Sequence, residues 1–239
     1  MSHLRTIGPP LIALFIIGLS ACNWTRECRE GSGPVVTVEA TTEPFEGIVV
    51  EGSLEVMLHF AEARSILVEG PSDLIDLVEV EMEDGIAHLR TTRCYRSEVP
   101  FMVHITHPSL KKVHLNGSGS IISEGIMEVG TFDVEVHGSG DISMEVEAAR
   151  VEADVMGSGD IVLGGVCEDL RATVAGSGDV NTMNLQCTRA DVVVTGSGDV
   201  RVNALKELNA AITGSGDIHY RGTPALQTQV TGSGKIHQE

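Results

Sequence analysis

Aromatic side chains make up only 3% of this 239-residue chain, which excludes a core built on packed rings. Basic residues are scarce as well: 16 Lys and Arg stand against 34 Asp and Glu, for a net charge of −18. A protein that binds nucleic acid needs a positive footprint for the phosphates, so nucleic acid is not an expected partner. The same deficit argues against simple electrostatic attraction to an anionic lipid surface. No apolar run reaches the roughly 20 residues that a membrane-spanning helix requires. Cysteine is limited to five residues, none in a CxxC or zinc-ribbon spacing, so no cysteine metal site is expected. Helical periodicity is weak through the second half, which leaves a β structure to be found.

What the sequence has is a repeat. Gly-Ser-Gly recurs seven times, starting at Gly117, Gly138, Gly157, Gly176, Gly196, Gly214 and Gly232, at intervals of 21, 19, 19, 20, 18 and 18 residues. Each interval is too short for a domain but suits one coil of a solenoid, whose core forms only when neighbours stack. Six, four and two residues before each corner stand apolar side chains: Phe132, Val134, Val136; Val151, Ala153, Val155; Leu170, Ala172, Val174; Ala190, Val192, Val194; and Leu208, Ala210, Ile212. The last copy reads Leu226, Thr228, Val230. Polar residues alternate with them, so each segment is a strand buried on one side. A second short strand follows each corner, led by Ile121, Ile142, Ile161, Val180, Val200, Ile218 or Ile236. Glycine lets the corner adopt left-handed backbone, and the small serine stacks without crowding.

The N-terminus has another character. Arg5 precedes the run Leu11-Ile12-Ala13-Leu14-Phe15-Ile16-Ile17 and then Leu19-Ser20-Ala21-Cys22, the pattern of a signal peptide. Its last four residues resemble the lipobox of bacterial lipoproteins. That resemblance implies removal of residues 1–21, a diacylglycerol on the Cys22 sulfur, and membrane attachment through acyl chains. Asn23 follows where aspartate would signal inner-membrane retention, so an outer-membrane lipoprotein is expected, facing either the periplasm or the cell surface. Cys28, Cys94, Cys167 and Cys187 remain, in an oxidising compartment. Cys167 and Cys187 each lie nine residues before a corner and so occupy equivalent places in adjacent coils. They either bridge or simply fit a tight layer.

Residues 22–34 read as a flexible tether, and 35–239 as one solenoid domain: irregular first coils and a cap over 35–110, then the repeats over 111–239. Strands in the irregular part are expected over 35–38, 45–50, 54–60, 65–68, 78–82, 87–91 and 101–106, with Asp84-Gly85 as a hairpin turn and a helical turn over 72–77. The order Phe45-Glu46-Gly47-Ile48-Val49-Val50, Leu54-Glu55-Val56-Met57-Leu58, Asp73 to Val80, Pro108-Ser109-Leu110 and the Gly-Ser-Gly-Asp-Ile series resembles the putative auto-transporter adhesin head GIN domain family. The resemblance covers about residues 44–237. It implies an all-β, right-handed single-chain β-helix on envelope lipoproteins common in Bacteroidota, with no established activity. True autotransporters continue into a C-terminal barrel, whereas Glu239 directly follows a repeat, so self-export is not expected.

Asp141, Asp160, Asp179, Asp199 and Asp217 each follow a corner and form a carboxylate column, whose repulsion must be offset. Capping of backbone N–H groups within each aspartate's own turn would do this, and so would a row of calcium ions. The seven corner serines are too uniform to include a nucleophile. His104, His107 and His114 lie close in sequence, but His104 and His107 differ in strand phase and face opposite ways. The expectation is therefore a non-catalytic envelope protein with a structural or adhesive role, binding a glycan or an envelope protein. No catalytic residue, metal ligand or cofactor is assigned, and Cys22 is the single residue with a chemical fate. The rival readings are a polysaccharide-acting β-helix enzyme and a calcium-stabilised surface repeat protein.

Overall fold

The Gly-Ser-Gly tripeptides are the corners of a parallel β-solenoid. The computed structural model describes residues 28–41 and 43–239. In it, β10 (Lys112–Gly117), β11 (Ser120–Gly138), β12 (Asp141–Gly157), β13 (Ile161–Gly176), β14 (Val180–Gly196) and β15 (Val200–Gly214) succeed one another, and each long strand runs from one corner almost to the next. The last coils are β16 (Ile218–Arg221), β17 (Ala225–Gly232) and β18 (Ile236–Gln238). Pairing among all of these is parallel and in register at the corners, with Gly138 over Gly117, Gly157 over Gly138 and Gly176 over Gly157, while bulges between corners, as after Ile122, Val162 and Thr182, absorb the unequal coil lengths. Val151 likewise lies over Phe132, and Leu170 over Val151.

The corner explains why both glycines are needed. Backbone φ at the first glycine of each repeat lies between 127° and 145°, a region closed to ordinary L residues. At Gly138, Gly157, Gly176, Gly196 and Gly214 its carbonyl accepts two N–H groups from the rung above; Ser177 and Gly178, for example, both donate to Gly157 O, at 2.8 and 3.1 Å. A Cβ on the second glycine would fall on the carbonyl of its counterpart one rung below, as at Gly178 over Gly159. The first glycine therefore satisfies both a dihedral and a close approach, and the second a close approach alone.

The first half of the chain is woven into the same stack, but out of order. Strand β3 (Gly47–Gly52) pairs in parallel with β10, which makes Gly52-Ser53-Leu54 one more corner, lacking only the second glycine. Strand β4 (Glu55–Phe60) likewise underlies the start of β11. The next rung outward is formed by residues later in the chain: β7 (Ile86–Thr91) pairs with β3 and β9 (Met102–His107) with β4, both in parallel. The rung at 47–60 is thus sandwiched between residues 86–107 and the first repeat. Antiparallel strands finish this end: β6 (Val78–Glu83) on β7, β5 (Ser65–Pro71) on β9, and β2 (Val35–Thr41) on β5. Asp84 and Gly85, with φ of 49° and 77°, make the expected hairpin turn, and a single 3-10 turn spans Ile75–Leu77. Reversing strand direction covers the parallel edge, as a solenoid end requires.

The inward triplets of five repeats are buried and join Ile48, Leu54, Leu89 and Phe101 in one continuous core. The sixth triplet differs from expectation. Leu226 and Val230 are 42% and 45% exposed, because β17 pairs with β15 on one side only and no rung covers it among the described residues.

Part of the expected tether is also tied down. Cys28 is bridged to Cys94, and β1 (Arg29–Glu30) pairs with β8 (Tyr95–Arg96). Arg29 meets Asp76 at 2.8 Å, while the Ser32 and Gly33 N–H groups donate to the Asp73 carboxylate at 3.0 Å. Residues 28–34 therefore lie on the body. The expected leader 1–21, Cys22 and the rest of the tether fall outside the described residues.

Candidate functional site

Parallel in-register stacking turns every repeat position into a column, so surface chemistry is decided column by column. In the column after the corners, each aspartate reaches upward rather than into its own turn. Asp141 Oδ1 accepts the Asp160 N–H at 3.1 Å, and Asp160, Asp179 and Asp199 repeat the bond to Asp179, Asp199 and Asp217 at 2.8 Å. Asp217 receives the Lys235 N–H at 2.7 Å. The expectation of capping within the turn is corrected on this point. The bond ties rung to rung and sets a backbone dipole against each carboxylate, which offsets the repulsion within the column.

The strands that precede the corners present a different surface. Seven residues before successive corners stand Arg150, Asp169, Arg189 and Glu207, side by side in register and alternating in sign. Two residues further on stand Glu152, Arg171, Asp191 and Asn209, with the opposite alternation. The two columns form a grid of charges, each facing its opposite across the roughly 4.8 Å between strands. Arg189 Nε lies 2.6 Å from Asp169 Oδ1, Arg171 Nε lies 3.4 Å from Glu152 Oε1, and Asn209 Nδ2 donates to Asp191 Oδ1 at 2.6 Å. The Arg189 bond holds the Asp169 carboxyl below the ordinary carboxylate range and raises the guanidinium in return. These side chains line a shallow groove of about 370 Å³. It continues toward the C-terminal rungs into a neighbouring hollow of about 320 Å³ lined by Asn209, Gln227 and Gln229. Such a surface offers paired hydrogen-bond donors and acceptors at a fixed spacing, which suits an extended polymer better than a compact substrate.

The three neighbouring histidines are kept apart. His104 faces outward, its ring stacked on His59 at 5.9 Å. His107 faces inward, 4% exposed against the Phe45 ring, and burial lowers its pKa. His114 sits on β10 beside Asp133 and Glu135 of β11, at 3.2 and 3.3 Å. Burial tends to raise the Asp133 carboxyl, but His114 and Lys112 more than offset this and leave it below its ordinary range. The open question over Cys167 and Cys187 resolves as a disulfide, formed across 4.6 Å between Cα atoms in register. Nothing in the sequence reading paired Cys28 with Cys94, whose separation of 66 residues carries no repeat signal. The charge grid was also missed, although counting back from the corners would have found it. Among the described residues no helix is long and apolar enough to cross a membrane.

Comparison with known proteins agrees with this architecture. The family described as "Putative auto-transporter adhesin, head GIN domain" matches residues 44–224. A crystal structure of a "putative adhesin" from Bacteroides fragilis is similar at 21% identity, covering 88% of this chain and 99% of that one with a TM-score of 0.82. A "putative lipid binding protein" from Parabacteroides distasonis shares 24% identity over 88% of this chain and 98% of that one, with a TM-score of 0.73. A "putative adhesin" from Parabacteroides merdae shares 20% identity over the same fractions, with a TM-score of 0.76. At such identities the likeness concerns the fold. No curated protein matches the chain.

Proposed function

The chain belongs to the putative auto-transporter adhesin head GIN domain family, and from that premise we propose that it is a non-catalytic adhesive module of the bacterial envelope. It is held to the membrane by lipid on Cys22 and grips an extended glycan or envelope protein along the groove between Arg150 and Asn209. The observation that carries this reading is the charge grid: Arg150, Asp169, Arg189 and Glu207 beside Glu152, Arg171 and Asp191, repeated rung by rung around an open groove. An enzyme acting on a polysaccharide would place unlike residues at unequal positions in a cleft of long loops. Here the corners are equal and the groove is shallow.

The attachment supports the same picture. Cys28 is bridged to Cys94 at the capped end, so a lipid six residues earlier, within about 20 Å of extended chain, places that end toward the membrane. The rungs then lead the groove away from the lipid. An outer-membrane lipoprotein with the groove facing the periplasm or the medium follows from this reading. The aspartate column favours hydrogen bonding over a calcium row, since one oxygen of each carboxylate is already committed to the next rung.

A soluble Cys22→Ser chain on a glycan array and in pull-downs from envelope fractions tests the proposal. Binding without turnover, lost when Arg171 and Arg189 are both replaced by glutamate, is the expected result. Release of reducing ends, or binding indifferent to those replacements, overturns it. Metabolic labelling with a fatty acid should mark the wild-type chain and spare the Cys22→Ser variant.

A further inference from the structure

A second cluster lies on the same strands but nearer the cap, where the regular repeats begin. The outward positions of β10 are Lys112 and His114, those of β11 are Asp133, Glu135 and His137, and those of β12 include Asp154. Strand register places His114 beside Glu135 and Glu135 beside Asp154. Among the described residues, three buried side-chain nitrogen or oxygen atoms have no hydrogen-bond partner: His114 Nε2, His137 Nε2 and Asp154 Oδ1. All three fall in this one patch. Buried polar atoms are rarely left unmatched, so their concentration here marks the patch as a candidate ligand site.

The distances say what kind of ligand. His114 Nε2 lies 3.2 Å from Asp133 Oδ2, and His114 Nδ1 and His137 Nε2 each lie 3.3 Å from Glu135 Oε2. The two Nε2 contacts are at ion-pair distance but lack hydrogen-bond geometry. A single ion takes only one of the two His114 nitrogens, so only one of the two His114–carboxylate contacts can serve as an edge of a tetrahedral zinc site, whose donors, bonded at about 2.0–2.1 Å, stand about 3.3 Å apart. One donor atom each from His114, Asp133 and Glu135 falls within a sphere of contacts no wider than 4.8 Å, which small side-chain rotations would contract. The chemistry of the donors narrows the ion. Imidazole nitrogen with carboxylate oxygen suits zinc and its transition-metal neighbours, whereas calcium takes oxygen alone. The His114 side chain is only 13% exposed, and those of Asp133 and Glu135 are 31% and 26% exposed.

We propose that His114, Asp133 and Glu135 bind one Zn²⁺ ion, with His137 beside Glu135 as the nearest further donor, and that the ion clamps the first repeat rung onto the second. The location gives such a clamp a purpose. At Lys112 the chain arrives from the rung formed by residues 86–107 and steps over the rung at 47–60 to start the regular stack. A bond between β10 and β11 fixes the register from which every later rung is copied.

The test uses the soluble Cys22→Ser chain with both disulfides intact, stripped with a chelator and titrated calorimetrically with zinc chloride, then with calcium and magnesium chloride. Saturable uptake of one zinc per chain is expected, with micromolar or tighter affinity, no comparable uptake of calcium or magnesium, and a raised melting temperature. His114→Ala and Glu135→Gln should each weaken binding at least tenfold, and His137→Ala should weaken it less. His104→Ala, at the stacked pair with His59, should leave it unchanged. Circular dichroism of each variant separates loss of the site from loss of the fold, and a tetrahedral visible spectrum with Co²⁺ gives a readout that does not depend on stability. Absence of one-to-one zinc uptake by the wild-type chain overturns the proposal, as does uptake that survives His114→Ala and Glu135→Gln undiminished.

Discussion

Replacing Gly176 with alanine adds one methyl group at a corner, and the structure gives a reasoned size for its effect. The residue sits at φ 145°, and the new Cβ would land on the carbonyl oxygen of Gly157, with the carbonyl carbon at 3.0 Å. That oxygen also accepts the N–H groups of Ser177 and Gly178 at 2.8 and 3.1 Å, so the corner cannot lift without stretching both bonds. Forced backbone of this kind costs about 1–3 kcal/mol, and each hydrogen bond contributes a net of about 1 kcal/mol. The sum is roughly 3–5 kcal/mol. Two other glycines separate the terms. Gly125 has φ 88° but open space around its Cβ position, so its alanine variant reports backbone strain alone, about 1–2 kcal/mol. Gly130 has neither a left-handed φ nor a neighbour within 4 Å, so its alanine variant should fall within about 0.5 kcal/mol of wild type. Urea unfolding followed by far-ultraviolet circular dichroism measures all three. If Gly176→Ala were no more damaging than Gly125→Ala, the close stacking of corners on which the fold argument rests would be refuted.

Val174→Asp removes a fully buried side chain worth about 1.5–3 kcal/mol and places an unpaired carboxyl in the core, so it should unfold the repeats, while Ala175→Asp on the outer side costs under about 1 kcal/mol; paired denaturation curves check this. Asp179→Ala should cost about 1 kcal/mol because the Asp199 N–H loses its acceptor, whereas Asp179→Asn keeps an acceptor, thins the charge column, and should be neutral or stabilising at low salt. The Ser32 and Gly33 N–H groups, with Arg29 nearby, hold the Asp73 carboxyl below its ordinary value. A depressed folded-state pKa gives stability that is present above the unfolded value and is lost as pH falls through the folded one. Acidification below about pH 4 should therefore release Ser32 and Gly33, while Cys28 stays bridged to Cys94, before the solenoid unfolds. Amide hydrogen exchange at Ser32 and Gly33 reads this release, and Asp73→Asn should remove the acid step.

The repeat half was legible because its rules are local. Period-two burial, a glycine-bounded corner and a fixed interval together place Val134, Ala153, Ala172 and Val192 in one column without knowledge of the rest. Strands in the first half were also found to within a few residues, since the turn at Asp84-Gly85 and the alternation around Ile105 are local too. What the sequence concealed was order in space. Nothing in residues 86–107 says that they lie beneath residues 47–60, because that choice depends on which edge is open when they arrive. The Cys28–Cys94 bridge depends on the same arrangement and was hidden with it. The aspartates illustrate a finer limit: the ladder was visible, but whether Asp160 turns toward its own corner or toward Asp179 is a matter of one side-chain torsion. The charge grid and the His114 cluster were within reach, since both follow from reading outward positions at a fixed offset from Gly157 or Gly138.

The register of adjacent coils is tested most directly by peptide mapping of the unreduced mature chain, in which proteolysis and mass spectrometry identify the cysteine pairs. In-register stacking puts Cys167 of β13 directly against Cys187 of β14, and the folded-back first half puts Cys28 against Cys94. Recovery of those two crosslinked peptides is the predicted result. Recovery of Cys28 or Cys94 joined to Cys167 or Cys187 would contradict the stacking from which the core, the groove and the metal site all follow.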